Sequence, residues 1–184
     1  SDGYISKTPY SWNMGIALQD SDKYILEKLK EEMESSAQIT HYKNSNKLVL
    51  TGSEHLINTL KALEFSEDKS HSDYKVPNIP DEYFNSFVRG YFDGDGCITI
   101  KATGYSVTSI CCNSKIFLDD LNEKLQQHGI TDSRVRCETG SRKSPLYVLY
   151  ISKKENQKQF RDFIYQNDEV KLLRKYEKFM EIPC

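Results

Sequence analysis

The sequence predicts an α+β fold built of two pseudosymmetric αββαββα repeats, and three observations predict it. The residues Gly90-Tyr91-Phe92-Asp93-Gly94-Asp95-Gly96-Cys97-Ile98-Thr99 close a hydrophobic run from Phe84 with two aspartates set among glycines, then alternate apolar and polar. The signature recurs, shortened, at the head of the chain, where Ser1-Asp2-Gly3-Tyr4-Ile5-Ser6 matches Gly94-Asp95-Gly96-Cys97-Ile98-Thr99. Charge, finally, is sorted by element type. The predicted strand regions 3–19, 36–53, 97–118 and 131–154 hold eleven Lys and Arg against two acids, a surplus of +9, so the net charge of −2 leaves −11 elsewhere. A basic sheet backed by acidic helices distributes charge in this way.

The elements follow in order. Tyr4–Lys7 and Trp12–Leu18 read as strands. Ile25, Leu26, Leu29 and Met33 recur at helical spacing over 21–34, with Asp20, Ser21 and Asp22 as candidate N-caps. Ala37–Tyr42 and Lys47–Leu50 are the next strands, and Ser53 opens a helix with Leu56, Ile57, Leu60 and Leu63 on one face. Residues 66–80, polar with two prolines, read as a linker. The order then repeats: helix to Phe92, strands Cys97–Ala102 and Ser106–Cys112, helix Ser114–Gln127 ending at Gly129, and strands Arg134–Glu138 and Leu146–Ser152. Helices over 155–166 and 168–180 close it. Leu26-Glu27-Lys28-Leu29 is echoed by Leu121–Leu125, and Leu48–Leu50 by Leu146–Leu149.

At 184 residues the chain can bury a sizeable core, and no run is long and apolar enough to span a bilayer. The opening is polar, without a secretory signal. Five cysteines (Cys97, Cys111, Cys112, Cys137, Cys184) are odd in number and lack metal-ligand spacing. They read as reduced thiols of an intracellular protein, most of them buried as small apolar groups. Cys111 and Cys112 would point to opposite faces of one strand.

Val88-Arg89-Gly90-Tyr91-Phe92-Asp93-Gly94-Asp95-Gly96 resembles the LAGLIDADG motif of homing endonucleases. Pro77-Asn78-Ile79-Pro80-Asp81-Glu82-Tyr83-Phe84 is similar to the approach to the second motif in single-chain members, and Leu173–Phe179 to their last helix. The likeness covers essentially the whole chain. It implies a first repeat over 1–65 that lacks its motif helix, the linker, and a second repeat over 81–184. Each repeat's curved antiparallel sheet would form a DNA-binding saddle. The implied activity is sequence-specific cleavage of double-stranded DNA with Mg²⁺, though Mn²⁺ or Ca²⁺ could occupy the same site.

Carried over residue by residue, the resemblance makes Asp2 and Asp95 the catalytic, metal-holding carboxylates, with Ser1 and Gly94 beside them as further ligands. A carboxylate at the negative end of a helix suits a hard divalent cation. Asp93 reads as a local hydrogen-bonding residue. Gln19 falls where the family keeps a polar residue near the attacking water, with Cys112 as its repeat partner. Lys153 is the candidate for the basic residue that neutralises charge. Strand parity turns Ile98, Ile100 and Ala102 inward and Thr99, Lys101 and Thr103 outward, with Arg134 and Arg136 sharing a face. Tyr4 and Ser6 match Cys97 and Thr99. Lys7, Asn44, Asn46, Lys47, Tyr105, Arg142 and Lys143 fall at hairpin tips suited to phosphate or flanking-base contacts.

Because the chain opens inside the first motif, the expectation is that upstream residues supply the missing helix. A separate partner chain, or a homodimer pairing two second helices, are the alternatives. Two other functions compete. A nucleic-acid binder of the same fold without cleavage would be a transcription regulator or an RNA-splicing maturase. A small calcium-binding protein would use Asp93 and Asp95, but the sequence lacks the closing Glu of a twelve-residue loop.

Overall fold

The computed structural model describes residues 3–9, 11–51, 54–65, 74–138, 145–166 and 170–183. The chain divides into two units, Ser1–Glu67 with Asn167–Leu172, and Asp68–Gln166 with Leu173–Cys184. The first unit runs β1 (Gly3–Lys7), β2 (Trp12–Gln19), a 3-10 turn at Asp20–Asp22, α1 (Lys23–Glu32), β3 (Ile39–Tyr42), β4 (Ser45–Thr51) and α2 (Glu54–Ala62). The second runs α3 (Asp81–Asp95), β5 (Gly96–Ile100), β6 (Ser106–Cys112), α4 (Lys115–Gln127), β7 (Ser133–Glu138), β8 (Leu146–Ile151), α5 (Lys154–Ile164) and α6 (Leu173–Met180). Each unit holds a four-stranded sheet, ordered β1-β2-β4-β3 and β5-β6-β8-β7, and every described pairing is antiparallel.

Local chemistry explains the helix ends. Pro80 precedes α3, where its missing N–H is harmless, and Asp81 and Glu82 favour the positive end of the helix dipole. At α4, the Ser114 hydroxyl accepts from the Phe117 N–H at 3.2 Å, and Gly129 takes φ +88° just past the far end.

The second unit buries the larger cluster. Phe84, Val88 and Phe92 on α3 pack with Ile98, Ile110, Leu149 and Ile151 from the sheet and with Phe117, Leu121, Phe160 and Phe179 from the other helices. Inside it, the fully buried Gln157 accepts from Thr108 Oγ1 at 3.1 Å and donates to the carbonyls of Ser106 and Ser152 at 3.2 and 3.0 Å. Satisfied on both ends, that amide ties α5 to β6 and to the end of β8. Residues 74–80, read as part of a linker, pack on the second unit. The Tyr74 ring lies 5.2 Å from that of Phe117, and the Val76 N–H donates to Asp120 at 3.0 Å.

Register corrects the alignment of the repeats. Gly3 pairs with Ile16 and Gly96 with Ile110, so Gln19 is equivalent to Asn113 and not to Cys112. Ile16 pairs with Leu48 and Ile110 with Leu149, so the true counterpart of Leu48 is Leu149, three residues past the match that leucine spacing suggested. Repeated apolar letters are a weak ruler where loop lengths differ. The cysteines are less buried than their chemistry predicted: Cys112 is buried, Cys111 half-buried, and Cys97 and Cys137 exposed on the sheet, while Cys184 lies outside the described residues.

Candidate functional site

The junction of α3 and β5 carries the chemistry. Helix α3 ends at Asp95 and the chain enters the sheet at once, with the Gly96 N–H returning to the Phe92 carbonyl. Gly96 has an extended backbone, so its φ does not demand glycine. Close approach does: a Cβ there would overlap the ring and the carbonyl of Phe92, which is fully buried beneath it. The last turn of α3 therefore presents Asp93, Gly94 and Asp95 with no bulk between helix and sheet.

Carbonyls at a helix C-terminus lack intrahelical partners and carry the negative end of the dipole. Here a lysine from another helix meets them. Lys175 on α6 is buried, and its ammonium donates to the Phe92 carbonyl at 2.7 Å and the Asp93 carbonyl at 2.8 Å, with the Gly94 carbonyl at 3.5 Å. It also stands 5.1 Å over the Phe92 ring. Burial lowers the Lys175 pKa, and the charge of Asp93 opposes that shift. The Asp93 carboxylate is itself held by the Tyr165 hydroxyl, which donates at 2.7 Å. So Asp93 is a local anchor, as the sequence indicated, and Asp95 is the half-buried carboxylate beyond it. Behind them Tyr74 and Tyr91 converge on Cys112, and desolvation first, then the thiol, raises both phenols above their ordinary pKa.

The oxygen-only character of this turn, one carboxylate and one main-chain carbonyl, fits a hard divalent cation completed by phosphate and water. Among the described residues no group of three His, Cys, Asp or Glu side chains is placed to hold an ion alone. The matching residues of the first repeat, Ser1 and Asp2, lie outside the described residues, as do Arg142 and Lys143.

Other predicted residues fall as follows. Gln19 is exposed at the end of β2, and its amide donates to Asp22 at 2.9 Å. Lys153 sits at the opposite end of its sheet from Gly96. Extending the β6–β8 register sets it level with Ser106, which pairs with Ile100, roughly 13 Å along the strand from Gly96 at about 3.4 Å per residue. Its ammonium faces Asp132 at 3.8 Å, so the strand-end lysine is a surface ion pair and does not neighbour Asp95. Lys175 does lie beside that turn, its ammonium 3.5 Å from the Gly94 carbonyl. The sequence carried a signal for it, since Lys175 lies in the stretch Leu173–Phe179 already likened to the family's last helix.

Asn46 also departs from expectation. It faces inward, 3% exposed, and donates to Asp20 at 2.7 Å, so it is not free to meet a ligand. Asn44 keeps an exposed side chain, while its carbonyl accepts from the Asp20 N–H at 3.2 Å. Lys7 pairs across the hairpin with Trp12 and lies 5.3 Å from its ring, on the face opposite Tyr4 and Ser6.

The outward faces are built by parity and register. In the second sheet Cys97, Thr99, Arg134 and Arg136 point away from the core, and Ile98 points in. Lys101, Thr103 and Tyr105 form the β5–β6 tip around Gly104, with Lys101 5.5 Å from the Tyr105 ring; Ala102, read as inward, is exposed in that turn. In the first sheet Tyr4 lies across Gly15, whose Cβ would overlap its ring, and Lys47 stands 4.8 Å over that ring.

Residues 82–165 match the LAGLIDADG-like domain family. Among solved structures, a K262A mutant of I-SmaMI is similar over 97% of this chain and 83% of its own, at TM-score 0.61 and 12% identity. The I-LtrWI LAGLIDADG homing endonuclease bound to target DNA gives TM-score 0.60 at 13% identity, over 97% of this chain and 84% of its own. The LAGLIDADG meganuclease I-AabMI bound to uncleaved DNA gives 0.60 at 17% identity, over 98% and 83%. Two archaeal proteins, both described as probable translation initiation factor IF-2, also resemble it. That of Methanocaldococcus jannaschii is 26% identical over an alignment of 180 residues that covers 88% of this chain and 15% of the factor. That of Thermococcus kodakarensis is 34% identical over an alignment of 118 residues that covers 61% of this chain and 9% of the factor. The chain thus spans a small part of either protein.

Proposed function

We propose that the protein is a sequence-specific double-stranded DNA endonuclease, a reading supported by the match of residues 82–165 to the LAGLIDADG-like domain family and by a fold shared with LAGLIDADG meganucleases. The observation that carries the reading is the α3–β5 junction, where a carboxylate at a helix end opens straight into a sheet whose outward face bears Thr99, Arg134 and Arg136. Cations and hydroxyls on the outward face of such a sheet suit phosphates and base edges of a major groove.

Asp95 and the Gly94 carbonyl would hold Mg²⁺ in this repeat, with Mn²⁺ or Ca²⁺ able to take the same oxygens; Asp2 and Ser1 would do so in the first. When bound, the cation polarises a phosphoryl oxygen and lowers the pKa of its water. The chain's own residues do the rest. Lys175 pins the carbonyls of the last helical turn and adds positive charge beside Asp95, so it takes the role that the sequence gave to Lys153. Gln19 and its register counterpart Asn113 are the polar groups that would orient water at the strand ends. Outward residues of both sheets, among them Tyr4, Ser6, Lys47, Thr99 and Lys101, would contact the duplex.

The resemblance to short stretches of two translation initiation factors supports a nuclease segment carried within a host reading frame, as an intein carries one.

The test is incubation of the protein with a randomised duplex library, in Mg²⁺ and in EDTA, sequencing bound and cut pools. Metal-dependent cutting at one site is expected. Asp95→Asn should keep binding and lower cleavage by about 10³-fold or more, as loss of a metal-holding carboxylate would. Selective binding with no cutting by the wild type would instead assign a regulator or a maturase.

A further inference from the structure

We propose that Glu138 reads a base, accepting from the N4 amino group of a cytosine in the major groove of the target; this rests on the DNA-endonuclease reading above. Glu138 is the last residue of β7, exposed, and by parity it shares the outward face with Arg134 and Arg136. A carboxylate on that face works against phosphate binding, because it repels the same backbone that the arginines attract. It is nonetheless held in place. The Tyr150 hydroxyl on β8 donates to Glu138 Oε1 at 2.9 Å.

The bridge has a particular geometry. Tyr150 pairs with Arg134, and Glu138 pairs with Leu146, four residues further along β8. The two side chains therefore reach toward each other along the sheet, past the level of Val148 and Arg136, and hold the carboxylate over the face. Burial, then the hydrogen bond to Glu138, pushes the Tyr150 pKa up to about 12, so the phenol keeps its proton and remains the donor. Among the described residues only Oε1 of Glu138 is engaged, which leaves Oε2 to accept.

An ionised carboxylate can only accept, and this selects its partner. Cytosine offers only the N4 donor in the major groove. Adenine sets its N6 donor beside the N7 acceptor, which repels a carboxylate, and guanine and thymine present acceptors. Arg136, two residues back at a strand spacing of about 7 Å, is placed to read a guanine near the same step.

The experiment compares binding selections from the randomised library for the full chain as wild type, Glu138→Gln, Glu138→Ala and Tyr150→Phe. The wild-type motif should contain a C·G pair at one position. Glu138→Ala should flatten that preference by about 10-fold and leave the rest of the motif intact. Glu138→Gln should shift the same position toward adenine, whose N6 and N7 suit an amide. Tyr150→Phe should broaden it less. An unchanged motif in Glu138→Ala and Glu138→Gln would overturn the proposal and leave Glu138 as a clamp for the sheet edge. No selection by the wild type would overturn both this proposal and the endonuclease reading, whereas loss confined to the Glu138 variants cannot arise from failure of that reading.

Discussion

The two sheets share one backbone frame and almost none of its outward side chains. Where the first sheet sets Tyr4 across Gly15 with Lys47 above, the second has Cys97, Ser109 and Val148 at the equivalent positions. The cation of that region has changed strands: Lys47 lies on β4, but its counterpart on β8 is Val148, and the charge reappears next door as Arg136 on β7. Inward positions keep their character, as Leu48 and Leu149 do. Packing constrains the inner face to volume and apolarity, whereas the outer face answers only to whatever it meets. On the proposed function, two unlike faces read two unlike half-sites.

Equivalent glycines offer the sharpest way to break that comparison. Gly3 and Gly96 occupy the same register position, yet a Cβ at Gly3 would find its nearest neighbour 3.8 Å away, the carbonyl oxygen of Gly15, while one at Gly96 would overlap Phe92. Gly96→Ala should destabilise the second unit by about 3 kcal/mol, because both the buried ring and the backbone carbonyl must shift. Gly3→Ala should change stability by less than about 0.5 kcal/mol, the range of substitutions that meet only ordinary contacts. Urea unfolding of the two variants measures both. Equal losses would mean that the junctions are built alike.

Lys175 sharpens the comparison from the other side, since α6 has no counterpart among the described residues of the first repeat. Lys175→Met keeps the packing against Phe92 and removes the donor to two carbonyls at the end of α3. The expected loss is about 2 kcal/mol, that of buried acceptors left unsatisfied. Amide exchange should accelerate in the last turn of α3 and at the start of β5, and little elsewhere. Uniform acceleration across the chain would show Lys175 to be a general packing residue rather than the cap of this turn.

How much of this was legible beforehand differs by kind of residue. Strand parity placed Thr99, Lys101, Arg134 and Arg136 outward, because alternation is a property of any strand. The aspartate at the end of α3 was legible because glycines and carboxylates together leave few structural alternatives. Lys175 was not singled out: its ligands are main-chain carbonyls about eighty residues earlier, and main-chain groups have no letter in a sequence. Lys153 was misleading for the converse reason, since a lysine at a strand end looks the same whether it faces a helix terminus or Asp132. Asn46 shows the limit of hairpin-tip reasoning. Its amide turns inward and donates to Asp20, a residue of the 3-10 turn after β2 that hairpin spacing does not point to.

The smallest effect tests whether the Tyr150–Glu138 bridge belongs to the second sheet alone. Its register counterpart in the first sheet is Val49, which can form no such bond. Tyr150 should titrate near 12 in the wild type, detectable by the carbon-13 shift of its ring. Glu138→Gln removes the carboxylate's contribution but not the burial, the larger cause, so the pKa should fall only part of the way toward 10. The folded state holds this proton more tightly than the unfolded chain does. Its contribution to stability is therefore fully present below about pH 10 and is lost as the pH rises toward 12. An unshifted titration in the variant would mean that burial alone raises the phenol, and that the carboxylate over the second sheet is less firmly held than its 2.9 Å bond implies.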